Sequence, residues 1–86
     1  MAENQKQDVP QVGDIWQEVD PRRTRYVRIE ADGDNHAFIT TVVFSDHFSG
    51  WLIAKGSRLT RAALGRFDGK RGGYKLHKRT LETSNA

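Results

Sequence analysis

Cationic side chains are the commonest chemistry-bearing groups in this sequence, and their distribution is uneven. Fourteen Lys and Arg stand against eleven Asp and Glu, a formal net charge of +3. Residues 1–50 hold five basic side chains (Lys6, Arg22, Arg23, Arg25, Arg28) against nine acidic ones, a net −4. Residues 51–86 hold nine basic side chains against Asp68 and Glu82, a net +7. The nine are Lys55, Arg58, Arg61, Arg66, Lys70, Arg71, Lys75, Lys78 and Arg79. A positive field of that density attracts phosphates, an anionic surface or an acidic protein, and it speeds encounter before specific contacts form. The bland alternative is a solvated, solubilising face. Aromatic residues interleave with the cations: Tyr26 and Tyr74, with Trp16 or Trp51, are of the types that stack on bases at about 1–3 kcal/mol per base. Trp16 reads instead as core, packed against Phe67 or Val27, which leaves Tyr26 and Tyr74 as the expected exposed rings.

Other constellations carry less. Gly69-Lys70-Arg71-Gly72-Gly73 offers flexible amides flanked by cations, the makings of a phosphate nest, but it lacks the spacing of a P-loop and reads first as a turn that reverses the chain before Tyr74. His36, His47 and His77 fall in no ligand spacing, and with no cysteine in the chain a metal centre is not expected. Ser45-Asp46-His47 contains the letters of a hydrolytic triad, yet adjacent side chains cannot line up as nucleophile, base and orienter, so the segment reads as a polar turn. Glu18 and Asp20 form a carboxylate pair with no apolar pocket to raise one pKa. No catalytic residue and no cofactor site is expected.

The elements that position these groups are short. Eighty-six residues and 9.8 kDa allow one small domain, expected over residues 12–79 between a flexible leader, 1–11, and a flexible tail, 80–86. No run is long and apolar enough to span a bilayer, and the first residues lack a signal-peptide pattern, so a soluble, cytoplasmic protein is expected. Turn-formers cut the chain into strand-length pieces. Residues 14–19 read as an opening strand closed by Pro21. Residues 24–31 alternate, with Val27, Ile29 and Ala31 on one face and Tyr26, Arg28 and Glu30 on the other. Asp32-Gly33-Asp34-Asn35 supplies a tight turn, and the β-branched and aromatic residues 37–44 suit a central strand paired antiparallel to the preceding one. Residues 51–54 read as a further strand or as the return limb of a long hairpin, without an assigned partner. Residues 58–67 fit both periods: Leu59, Ala62, Ala63 and Phe67 share a helical face, while Thr60, Ala62 and Leu64 share a strand face. Residues 74–78 close the domain as a strand. Four or five such strands must curl into a small barrel to protect their edges.

Val12-Gly13-Asp14-Ile15-Trp16 followed by Asp20-Pro21-Arg22-Arg23, and Arg58, Thr60-Arg61, Leu64 and Arg66-Phe67 followed by Gly73-Tyr74-Lys75-Leu76, resemble small uncharacterised phage and bacterial proteins with an SH3-like barrel. The resemblance spans most of residues 12–78 and implies an all-β fold: about five antiparallel strands with one short 3₁₀ or helical turn before the last strand. It places residues 60–64 in a strand that enters a 3₁₀ turn at Gly65-Arg66-Phe67. The chain departs from the pattern at residues 44–56, which are longer than it requires. No activity follows from the fold.

The expected function is a non-enzymatic binding module that contacts nucleic-acid phosphates through Arg22, Arg23, Arg25, Tyr26, Arg28, Lys55, Arg58, Arg61, Arg66, Lys70, Arg71, Tyr74 and Lys75. The alternative is a protein-interaction adaptor, or a phage-borne modulator of an acidic host protein, anchored by an apolar patch around Phe48, Trp51 and Ile53. Self-association through an exposed edge strand is a third reading.

Overall fold

The chain folds as the alternation of its residues dictates, into six antiparallel strands of one sheet. The computed structural model describes residues 9–79; the expected tail and most of the expected leader lie outside the described residues. The strands are β1 (Ile15–Glu18), β2 (Tyr26–Asp32), β3 (His36–Ser45), β4 (Gly50–Ile53), β5 (Thr60–Ala63) and β6 (Tyr74–Lys78). A 3₁₀ turn, Leu64–Arg66, lies between β5 and β6. The sheet order is β4-β3-β2-β1-β6, with β5 paired to β3 off this path. The sheet is open.

The ten-residue β3 organises the sheet. Its outer edge is shared: His36 to Ile39 face β5, and Val42 to Ser45 face β4. In the gap between the two, the Ala54 N–H donates to the Thr41 carbonyl at 2.9 Å and the Thr41 N–H donates to Ser57 Oγ at 2.8 Å. Of the two periods carried by residues 58–67, the strand prevails, since Ala62 lies opposite Ala37 on β3 and is the buried residue of β5.

One face of the sheet holds the core: Trp16, Val27, Ile29, Ala37, Ile39, Ala62, Phe67 and Tyr74, with Leu64 and Leu76 packed against it. Trp16 meets Phe67 edge to face at 5.0 Å, and Phe67 stacks on Tyr74 at 5.0 Å. Trp16 Nε1 is buried with no hydrogen-bond partner among the described residues. A β-bulge in β2, between Ile29 and Ala31, corrects the expected alternation: it turns Ala31 out of the core, and Ala31 is exposed. A second bulge, where Ile15 and Trp16 face Lys78 and Leu76, leaves His77 as the extra residue of β6.

The ends of the domain are tied by a buried charge. Asp14 is 0% exposed and accepts from the Gln11 N–H at 2.9 Å and from Arg79 NH1 at 2.8 Å. The same Arg79 nitrogen donates to the Val9 carbonyl at 2.9 Å. Residues 9–11, which the sequence assigns to the leader, are therefore held by hydrogen bonds. Among the described residues no helix is long and apolar enough to cross a membrane.

Candidate functional site

The second face of the sheet carries what the core face does not, a run of partly exposed rings. Paired strands set a register row across it: Lys75, Gln17, Tyr26, Val42 and Ile53 lie side by side on β6, β1, β2, β3 and β4. Residues opposed in an antiparallel ladder share a face. The Tyr26 ring lies 5.0 Å from Trp51 and 4.8 Å from His77. Trp51 is 5.7 Å from His77 and 5.4 Å from Phe44. Four rings from β2, β3, β4 and β6 thus form one continuous surface. Beneath it, Ile15 and Val42 point to this face and are 3% and 1% exposed, although neither belongs to the core cluster. Phe44, by contrast, is 52% exposed.

The arginines of the first half are committed to carboxylates. Arg22 Nε lies 3.2 Å from Asp20 Oδ1 and Arg28 Nε 2.9 Å from Glu30 Oε2. Arg25 Nε lies 2.7 Å from Glu18 Oε1, close but not aligned as a hydrogen bond, so that pairing is Coulombic. The Arg22 side chain, and then its backbone N–H, hold the Asp20 carboxyl below its ordinary range, and the same hydrogen bond raises Arg22. At Glu30 burial favours the neutral form, but hydrogen bonds from Thr40 and Arg28 together outweigh it and lower the pKa. Arg28 NH1 also donates to the Trp51 carbonyl at 3.3 Å, which draws β4 toward β2 over this face.

The cations of residues 55–78 are different. Lys55, Arg58, Arg61, Lys70, Arg71, Lys75 and Lys78 form no ion pair among the described residues. The Arg66 guanidinium lies over the Tyr74 ring, 4.8 Å from its centroid, and donates to the Gly72 carbonyl at 3.1 Å. Arg71 meets Arg22 around an open cleft of about 400 Å³, whose walls also include Glu18, Asp20 and Pro21, and Lys75 joins Arg71 around an adjoining one of about 420 Å³ that shares those last three residues. Lys55 and Arg58 follow β4 on the β3 edge instead, and Arg61 sits on β5 opposite Phe38. Arg23 is exposed near the cleft-lining Pro21 and Arg22. The proposed cations therefore fall into two groups, one at the cleft and one along the β4–β5 side.

One expectation needs correction. Tyr74 is 3% exposed: Phe67 stacks on its ring and Arg66 covers it, so it offers no free face. The glycine loop leaves few amides for a phosphate. The Gly69 N–H donates to the Tyr74 carbonyl, that of Gly72 to Val19, that of Gly73 to Lys70, and that of Lys70 to Asp68 Oδ1. The loop is a turn, with Gly69 and Gly72 at φ 75° and 87°. Ser45 Oγ accepts from the Phe48 N–H at 3.3 Å and closes the β3–β4 turn. Among the described residues no three His, Cys, Asp or Glu side chains gather as a metal site would need.

Of the rings weighed as stacking groups, Trp16 and Tyr74 are core, while Tyr26 and Trp51 lie on the second face. Phe44 and His77 belong with them and were not singled out from sequence. Their signal was parity, since Phe44 is in step with Val42, and His77 with Lys75 rather than with Leu76. Comparison with protein-family models, curated proteins and solved structures finds no match.

Proposed function

We propose that this chain is a non-enzymatic binding module, an SH3-like barrel whose basic, aromatic-bearing surface contacts nucleic-acid phosphates. The observation that carries the reading is the separation of its charges. The carboxylates Asp14, Glu18, Asp20 and Glu30 are paired with Arg79, Arg25, Arg22 and Arg28, while the exposed cations from Lys55 to Lys78, Arg66 apart, have no carboxylate partner among the described residues. Such cations are available to displace counterions from a polyanion. The pairing of Arg22, Arg25 and Arg28 reduces their share of the attraction and leaves it to two separate groups, Lys55, Arg58 and Arg61 along the β4–β5 side and Arg71 and Lys75 at the cleft.

Retention on heparin and on mixed-sequence oligonucleotides at two salt concentrations tests the proposal. Neutralising about six duplex phosphates gives a log–log salt slope of about −5. Arg58→Glu with Arg61→Glu abolishes retention under this reading, and a flat salt response overturns it.

A second reading has its own support. The β3–β4 hairpin exposes apolar side chains on both faces: Val43 (50%) and Leu52 (41%) on one, Phe44 and Ile53 (51%) on the other, with Phe48 (66%) at the turn. An exposed apolar hairpin is a feature of protein-docking surfaces. Under this reading the cations meet an acidic protein partner, and Trp51→Ala is more damaging than loss of Arg58 and Arg61.

A further inference from the structure

We infer that the ring surface of Tyr26, Phe44, Trp51 and His77 is a stacking platform for the unpaired bases of single-stranded nucleic acid. The inference rests on the proposed nucleic-acid reading and adds the class of nucleic acid and the residues that select it.

The rings touch one another, with centroids 4.8–5.7 Å apart. Rings at that spacing enclose no gap, so a cage around a methylated ammonium is excluded; what they present is a broad outer surface. They stand on paired strands, and Arg28 fixes the β4 backbone at Trp51, so the platform exists before any ligand arrives. Preformed rings lose little entropy on binding.

Charge complementarity selects the occupant. Lys75 ends the register row through Tyr26, and Lys78 lies opposite Ile15, which in turn faces Arg28. Neither lysine has an ion-pair partner among the described residues. The carboxylate on this face, Glu30, is occupied by Thr40 Oγ1 at 2.6 Å and Arg28 Nε at 2.9 Å. A face of rings bordered by free ammonium groups matches a chain whose bases stack and whose phosphates carry charge. A duplex keeps its base faces inside the stack and cannot use the rings.

Oligo(dT), an equal-length duplex and heparin are the three probes. The chain has two tryptophans, and Trp16 is 1% exposed, so quenching by oligo(dT) reports Trp51; Trp51→Phe removes the signal and leaves the Trp16 emission unchanged. Because the rings cover Ile15 and Val42, truncating Trp51 or Tyr26 disturbs packing, and the exposed Phe44→Ala and His77→Ala give the cleaner variants. Each weakens oligo(dT) binding by about 5- to 100-fold and leaves heparin binding within about twofold. Salt-dependent binding of all three probes with no quenching and no loss in Phe44→Ala overturns the platform and leaves the phosphate reading standing. Rings that dock a protein give that same indifference of oligo(dT) to Phe44→Ala. Absence of binding to every polyanion overturns both.

Discussion

Replacing Arg79 by alanine tests what holds the two ends of the domain together. Asp14 is fully buried, and its carboxylate faces Arg79 NH1 at 2.8 Å. Deleting one partner of a buried ion pair costs about 3–5 kcal/mol, mostly because the other charge is left without compensation. The Arg79 side chain retains 31% exposure, so water reaches it and replaces part of the lost interaction; the Gln11 N–H remains on the carboxylate. The working figure is therefore about 2–3 kcal/mol. In a domain of this size each kcal/mol lowers Tm by about 4–8 °C, so Arg79→Ala melts about 10–20 °C below the parent in a thermal scan followed by circular dichroism. Urea titration of the parent, Arg79→Ala, Asp14→Asn and the double variant completes the cycle. The double variant is less destabilised than the two losses combined, with a coupling of about 1–2 kcal/mol, since each single variant already loses the Asp14–Arg79 contact. Arg79→Ala within about 0.5 kcal/mol of the parent, or a coupling near zero, refutes the argument.

Three further substitutions probe other parts of the structure. A Cβ on Gly73 would overlap the Arg66 carbonyl oxygen and meet Asp68 Oδ1 at 2.7 Å, so Gly73→Ala forces the loop and residues 66–68 apart and costs about 2–3 kcal/mol by chemical denaturation. Glu30, with a folded pKa below its ordinary 4.5, binds its proton in the unfolded chain first. It therefore contributes stability that is complete above about pH 5 and is lost as pH falls through the folded value, and Glu30→Gln flattens this acid limb by about 0.5 kcal/mol in denaturation series across pH 3–6. Trp16→Phe removes an indole N–H that has no partner along with packing against Phe67. The two effects oppose, and the unfolding free energy falls by about 1–2 kcal/mol rather than the 3–5 typical of truncating a core tryptophan to alanine.

The strands were legible where one period dominated. β6 occupies the expected residues 74–78, and β2 and β3 lie within two residues of their expected bounds, β2 because Val27 and Ile29 alternate with polar residues and β3 because it is rich in β-branched and aromatic residues. β5 was ambiguous because its four residues bury Ala62 alone, and Ala62 belongs to both candidate faces; only the β3 partner decides. Bulges leave no mark in such short patterns, which is why Ala31 was assigned to the core. Tyr74 was expected to be exposed, yet it is in step with Leu76 on the core face and is buried; the lysine beside it points to the opposite face. The ion pairs divide the same way. Arg28 and Glu30 are two apart on one strand and share a face, whereas Arg25 finds Glu18 only through the β1–β2 register.

The shared edge of β3 explains why so small a chain has rings on both sides of its sheet. β5 takes the half nearest His36 and brings Ala62 to the core, and the chain then crosses through the 3₁₀ turn to place Phe67 against Trp16. β4 takes the other half and is tied to the second face instead, through the Arg28 to Trp51 carbonyl hydrogen bond. Between them, Ser57 caps the Thr41 N–H that neither strand reaches. One continuous strand in place of β4 and β5 would run both stretches along β3 without a break. The interruption at residues 54–59 lets β4 and β5 lie independently, so that the core closes on one side while Trp51 meets Tyr26 and His77 on the other. The β3–β4 hairpin thus carries Phe44 and Trp51, and with them the ring surface of the proposed platform and the exposed apolar side chains of the second reading.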